Sequence, residues 1–168
     1  MSSAGVSVVW LVLFAGAHAA EPPAISPGLD SDGFWSGSIV VPATPAEVAA
    51  LVEDPIQSAR YSPDIETTAY VARGVCDTLR AALSGAIPVT YDYKRCRTSN
   101  GWHETLLSSE LLSVYEVKWS FSPAPGGTQV DYGVKIGTHF PAPDFVFARR
   151  MKDAITTILG RVYRKATE

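Results

Sequence analysis

Six strand-like segments follow one another with no helix between them, at Ile65–Val71, Val75–Leu83, Pro88–Arg97, Trp102–Ser109, Leu112–Ser122 and Thr128–Gly137, each set off by Gly, Pro or Asn turns. Connections this short leave no room for crossover helices, so neighbours must pair antiparallel, as a meander. The last two segments alternate cleanly. Tyr115, Val117, Trp119 and Phe121 share one face, as do Val130, Tyr132, Val134 and Ile136, while Glu116, Lys118, Ser120, Asp131 and Lys135 take the other. A sheet so patterned has one wet face and one apolar face that needs cover. The final stretch, Pro143 to about Lys165, supplies it: no proline follows its start, and Phe147, Met151, Ala154, Ile155, Ile158 and Val162 recur at helical spacing. Asp144 near its start and Arg161, Arg164 and Lys165 near its end suit a helix dipole.

Upstream, Ser36–Val41 reads as one more strand. Thr44-Pro45-Ala46-Glu47 is a helix start, with Thr44 as N-cap, Pro45 in the first turn and Glu47 completing a capping box. That helix runs to about Val52, and Asp54-Pro55 stops it, because the residue before proline is pushed away from helical angles. Ile56–Asp64 is a second short helix or turn region. The layout is α+β: about seven antiparallel strands, two short helices after the first, and one sheet curling around one long helix.

Residues 6–17 form an apolar run, and Ala17-His18-Ala19 places small residues where a signal peptidase reads. The run falls short of the roughly 20 residues that span a bilayer. It carries no Lys or Arg ahead of it, and an uncleaved anchor is the alternative reading. No cysteine lies near the cleavage site to carry a lipid. The expected division is a signal peptide over 1–19, a flexible leader over 20–32 and one folded domain over 33–168, the mature chain starting near Ala20 in a periplasm or outside the cell.

An oxidising compartment makes a disulfide the default for the chain's two cysteines, Cys76 and Cys96. A hairpin centred on Ala86 sets Cys76 directly opposite Cys96. The same register sets Asp77 opposite Arg95 and Arg80 opposite Asp92, so complementary pairs follow from one alignment. Fourteen basic against seventeen acidic residues, a formal charge of −3 with no long run of either sign, leave no basic footprint for nucleic acid. No G-x-S-x-G elbow, phosphate-binding glycine loop, dinucleotide fingerprint or H-E-x-x-H occurs, so no cofactor is implied. After signal cleavage only His103 and His139 remain as histidines, too few for a histidine-rich metal site, and no metal is expected.

The order of elements, with Ile39-Val40-Val41-Pro42-Ala43-Thr44-Pro45-Ala46-Glu47-Val48 leading into the first helix and then Asp54-Pro55, resembles the START-like superfamily. These are the helix-grip folds of Bet v 1 allergens, polyketide cyclases and coenzyme-Q-binding START domains. Gly101-Trp102, the strand Tyr115–Phe121, and Pro125-Gly126-Gly127-Thr128-Gln129-Val130-Asp131-Tyr132 carry the resemblance further, across roughly Phe34 to Lys165. All are turn and packing residues; none is a catalytic signature. The resemblance implies a START-like domain over 33–168 with a cavity between sheet and long helix that holds a lipid, sterol, quinone or polyketide.

On the hairpin register Leu79, Ala81, Leu83, Val89, Tyr91 and Tyr93 share the face opposite the cysteines, and small Ala81 facing Tyr91 leaves space. Asp77 and Arg95 share that face and either orient a ligand head group or form a rim salt bridge. The expected ligand-binding set is Asp77, Leu79, Ala81, Tyr91, Tyr93, Arg95, Tyr115, Val117, Trp119, Tyr132, Val134, Phe147 and Met151. Trp102, Glu104 and Leu106 alternate with His103, Thr105 and Leu107, and either set fits the inner face. Phe140, Phe145 and Phe147 followed by Arg149-Arg150 read as a lid or as an edge touching a membrane transiently.

The function expected is binding, and carriage, of a hydrophobic small molecule by an exported protein. One alternative is a polyketide cyclase or dehydratase, with Tyr91, Tyr93, Asp77 and Arg95 as acids or bases. Export away from any carrier-bound polyketide makes binding the preferred reading. The other is a noncatalytic protein-interaction module whose apolar stripe fills a dry core.

Overall fold

The computed structural model describes residues 21–85, 88–140 and 144–168. The segment read as a signal peptide lies outside them, as do Ala86 and Ile87 and the run 141–143. The elements in chain order are β1 (Gly28–Leu29), β2 (Trp35–Val41), α1 (Pro45–Glu53), α2 (Pro55–Ala59), β3 (Ile65–Ala72), β4 (Cys76–Leu83), β5 (Val89–Arg97), β6 (Gly101–Ser109), β7 (Leu112–Ala124), β8 (Gly127–Thr138) and α3 (Asp144–Thr167).

All strands join one antiparallel sheet in the order β1-β2-β8-β7-β6-β5-β4-β3. The meander is as expected. The eighth strand, β1, lies inside the segment read as a flexible leader: Gly28 and Leu29 pair with Ser36 and Trp35, and Ile25 packs on the core. The folded part therefore begins before residue 33. An apolar residue standing alone gives no periodic signal, so Ile25 was invisible as a packing residue.

The capping box forms as the sequence dictates. Thr44 Oγ1 accepts from the Glu47 backbone N–H at 3.3 Å, and the Glu47 carboxylate accepts from the Thr44 N–H at 2.8 Å. Asp54 ends α1 in an extended conformation and caps α2, its carboxylate accepting from the Ile56 N–H at 2.9 Å. Two glycines permit close approaches. A Cβ on Gly37 would stand 2.8 Å from Ile155 Cγ2, so α3 lies directly on β2 there. Gly127, at φ 144° at the start of β8, would drive a Cβ to 2.0 Å from the Val41 carbonyl oxygen.

The apolar face of the sheet and the inner face of α3 enclose the core: Ile39, Val41, Leu79, Ala81, Phe121, Val130, Ile155, Leu159 and Val162 are buried, with Val48 and Val52 of α1 closing one end. The hairpin register is the one expected. Cys76 faces Cys96, Asp77 faces Arg95, and Arg80 faces Asp92, the last pair joined by bonds of 2.7 and 2.8 Å.

Cys76 and Cys96 form a disulfide with Cα atoms 4.4 Å apart. It closes a loop over a sequence separation of 20, which in the chain-entropy model stabilises by about 3 kcal/mol. Replacing both cysteines with serine is expected to lower unfolding free energy by that order in denaturant titrations. The register should persist, because Arg80–Asp92 and the inner apolar pairs also specify it. A loss under about 1 kcal/mol would show that the reduced chain is already restricted there.

Candidate functional site

The mouth of a cavity opens where many element ends converge: the end of β4, the start of β5, the start of β7, the end of β8 and the first turns of α3. The space is about 340 Å³. Its walls are mainly apolar, with Leu83, Val89, Leu112, Val134, Ile136, Phe147, Met151, Ala154 and Ile158 around the tyrosines Tyr91, Tyr115 and Tyr132. These residues face one another because β8 and β7 alternate inward at every second position while α3 presents Met151, Ala154 and Ile158 along one stripe. At the rim Arg150 on α3 meets Asp64, just before β3, at 2.5 Å. The Asp64 carbonyl accepts from the Ser84 backbone N–H at 2.9 Å.

Tyr115 and Tyr132 also border a second, smaller space of about 30 Å³ with a mixed lining that includes Ser58, Tyr93, Glu104, Val117 and Trp119. That volume suits a single water. Glu104 is buried beside it, on the strand next to Arg95, which is 2% exposed. The two charged groups approach to 3.7 Å. Tyr115 donates its hydroxyl proton to Glu104 Oε2 at 2.8 Å. Arg95 also donates to the Val52 carbonyl of α1 and to Ser58 Oγ, and its guanidinium stacks over Trp102 at 4.6 Å. One buried cation thus docks both short helices on the sheet.

Burial pushes the Glu104 carboxyl up from the usual carboxylate range, with the nearby Arg95 and the Tyr115 hydrogen bond opposing it. Burial, then the Glu104 carboxylate, raises the phenols of Tyr93, Tyr115 and Tyr132. Tyr91 is raised by burial, the neighbouring Tyr115 hydroxyl offsetting part of it. All four phenols therefore stay protonated at neutral pH. Tyr91 and Tyr115 rings sit 4.6 Å apart, yet the buried Tyr91 hydroxyl meets no partner at hydrogen-bond geometry among the described residues.

The expected ligand residues fall into three groups. Tyr91, Tyr115, Tyr132, Val134, Phe147 and Met151 line the main cavity. Tyr93, Val117 and Trp119 face the small chamber, which Tyr115 and Tyr132 also border. Asp77, Leu79, Ala81 and Arg95 line neither space. Leu79 and Ala81 are fully buried in the packed core. The expected Asp77–Arg95 contact does not form, although their backbones are opposite: Arg95 turns to Glu104 and α1, while Asp77 accepts from the Gly74 N–H at 3.2 Å. A buried guanidinium needs several acceptors, and inward Arg95 meets three, the Glu104 carboxylate, the Val52 carbonyl and Ser58 Oγ, where Asp77 offers a single carboxylate.

On β6 the inward set is Trp102, Glu104 and Leu106, and the outward His103 bonds Glu116 at 2.8 Å. Leu107 is a bulge: Tyr93 pairs Leu106 and Asp92 pairs Ser108, leaving Leu107 unpaired and 52% exposed. Sequence reasoning left Glu104 unassigned, and the available signal was its place opposite Arg95 on the strand after the hairpin.

A model of the family described as "Polyketide cyclase / dehydrase and lipid transport" matches residues 35–167. The chain belongs to this family. It is a START-like, helix-grip protein, and solved structures of that superfamily share its fold. A Thermus thermophilus protein, TTHA0849, superposes with TM-score 0.69 at 18% identity, covering 80% of this chain and 96% of that one. A STAR-related lipid transfer protein fragment from Xanthomonas axonopodis gives TM-score 0.62 at 12% identity, covering 86% and 99%. The ZhuI aromatase/cyclase from Streptomyces sp. R1128 gives 0.59 at 16%, covering 79% and 94%. No curated protein matches this chain in sequence. Membership in the polyketide cyclase/dehydrase and lipid transport family makes the chain a hydrophobic ligand-binding domain. The identities above speak for the fold alone.

Proposed function

We propose that this chain is an exported carrier that binds one small hydrophobic molecule between its sheet and α3. The observation that carries the reading is the apolar cavity of about 340 Å³, open at one end and walled in part by the buried Tyr91 phenol, which meets no partner at hydrogen-bond geometry among the described residues. That volume is near the lower end of small-molecule sites, which favours a single ring system or one acyl chain over a two-chain phospholipid. Burying about 300 Å² of such a ligand at roughly 25 cal/mol per Å² contributes on the order of 7 kcal/mol before association costs, enough for micromolar binding. A ligand carrying a carbonyl or hydroxyl would give Tyr91 the partner it lacks, worth about 1 kcal/mol more. The disulfide, a bond that persists in oxidising compartments, supports export together with the apolar amino-terminal run.

Native mass spectrometry of the mature protein, purified from its own compartment, tests this reading, followed by extraction of anything released. A stoichiometric apolar molecule is expected. A bare protein that also takes up nothing from a panel of fatty acids, quinones and sterols would overturn it.

Tyr91 and the Tyr115–Glu104 pair favour a second reading, in which the same cavity performs acid–base catalysis on a bound polyketide-like chain. Turnover of a cavity-bound compound that is lost in Tyr91→Phe, with binding retained, would select it over carriage.

A further inference from the structure

Asp64 joins three walls of the cavity mouth. Its carbonyl holds the end of the β4–β5 hairpin through the Ser84 N–H at 2.9 Å and hydroxyl at 3.2 Å, and its carboxylate holds α3 through Arg150 at 2.5 Å. The pair is asymmetric. The Arg150 side chain is 59% exposed and Asp64 only 24%, so an anion from outside reaches the guanidinium before anything reaches the carboxylate. Exposed pairs of this kind are weak, and a guanidinium binds phosphate in the same forked geometry as carboxylate.

Around this pair the rim carries apolar side chains left exposed by the described residues. Phe140, two residues beyond cavity-lining Thr138, is 60% exposed, and Phe145, two before cavity-lining Phe147, is 78% exposed. Arg149 lies one turn beyond Phe145 on α3, 88% exposed and only loosely paired with Asp153 at 3.9 Å, and Lys152 is exposed a further turn on. Exposed phenyl rings next to arginines fit the boundary of an anionic bilayer, where rings bury and guanidinium groups meet phosphate.

We propose that the Asp64–Arg150 ion pair is the latch of the cavity mouth, and that an anionic lipid surface docking on Phe140, Phe145 and Arg149 releases it by drawing Arg150 onto lipid phosphate. This rests on the cavity being the ligand site. With the pair formed the mouth is narrowed rather than sealed, so cargo leaves slowly in solution and exchanges faster where an acceptor membrane lies against the mouth.

The test uses the mature, disulfide-bonded protein loaded with N-phenyl-1-naphthylamine, an uncharged probe that does not itself compete for Arg150. Stopped-flow release is measured into vesicles of phosphatidylcholine, with and without a third phosphatidylglycerol, alongside vesicle sedimentation. Release from the wild type should be at least roughly fivefold faster into anionic vesicles, the factor one exposed ion pair supplies, and high salt should abolish the difference. Asp64→Asn should release quickly into either vesicle, and Arg150→Gln should do so while sedimenting poorly. The exchanged pair Asp64→Arg with Arg150→Asp should restore slow release into phosphatidylcholine, which decides the matter if a single variant misfolds. Equal wild-type rates into both vesicles, or an Asp64→Asn protein as slow as wild type, overturn the latch. A probe that never binds sinks the cavity reading instead. Sedimentation onto anionic vesicles, lost in Phe140→Ser/Phe145→Ser, then still decides the docking surface.

Discussion

Ala154→Trp should abolish uptake of any cavity ligand and leave the protein folded. Ala154 sits on α3 with its small side chain at the cavity wall, 8% exposed. An indole there occupies space that a ligand would use, and a buried tryptophan covers on the order of 150–250 Å². Removing about 150 Å² of ligand contact at roughly 25 cal/mol per Å² loses between about 3 and 4 kcal/mol, a several-hundred-fold weaker complex. The same substitution separates a cavity from a filled core. In an empty space the added side chain restores missing contacts and holds or raises the melting temperature. In a close-packed interior it forces strain of about 1–3 kcal/mol. Titration with an apolar fluorophore, with melting followed in parallel, reads both quantities. Ala154→Phe should fall between wild type and Ala154→Trp in affinity. A variant that melts sharply lower while the wild type binds no probe would establish a dry core.

Breaking the buried Arg95–Glu104 pair should be the most damaging change to stability. Glu104→Ala leaves a guanidinium with almost no access to water, and Arg95→Ala also takes away the donor that holds the Val52 carbonyl and Ser58 to the sheet. Losing one partner of a buried pair typically costs about 3–5 kcal/mol. In a domain of this size that lowers the melting temperature by roughly 10 °C or more. Arg95→Met/Glu104→Leu should cost much less than the sum of the single changes, because apolar replacements leave no orphaned charge. Additive losses in a double-mutant cycle would show that the two residues act separately.

The raised Glu104 carboxyl gives this pair a pH signature of definite sign. Its folded-state pKa lies above the unfolded value, so the folded chain binds more protons over the window between the two. Stability then falls as pH rises through that window. Relative to wild type, Glu104→Gln should therefore be flatter with pH from the ordinary carboxylate range upward. Parallel stability curves for the two proteins would mean that Arg95 and Tyr115 hold the carboxyl at its ordinary value.

What could be read before folding was local or periodic. Two-residue alternation assigned the faces of β7 and β8, helical spacing assigned the buried stripe of α3, and Thr44 with Glu47 marked the start of α1. One assumption about a hairpin turn carried the register of β4 on β5, including Cys76 opposite Cys96. That worked because a one-residue slip would have sent every apolar side chain to the wrong face and separated complementary charges.

The inner face of β6 failed to show itself for a specific reason. The bulge at Leu107 interrupts its alternation, and both of its faces mix polar with apolar residues, so neither Glu104 nor His103 announces its direction. The partner of Arg95 was illegible for another. Backbone register makes residues opposite, but a long, flexible guanidinium selects among all acceptors within reach, and those come from α1, α2 and β6, distant in sequence.

The sequence alone therefore determined the order of elements from β2 onward, the register of the central hairpin, the disulfide and the apolar faces, since each depends on spacing between near neighbours. Only the tertiary structure decided which of those apolar residues border a cavity and which are packed solid. Leu79 and Tyr91 read alike along the chain. A cavity is the small volume left where β8, β7, β5 and α3 fail to touch, and it depends on how far apart distant elements are held rather than on any one residue's character.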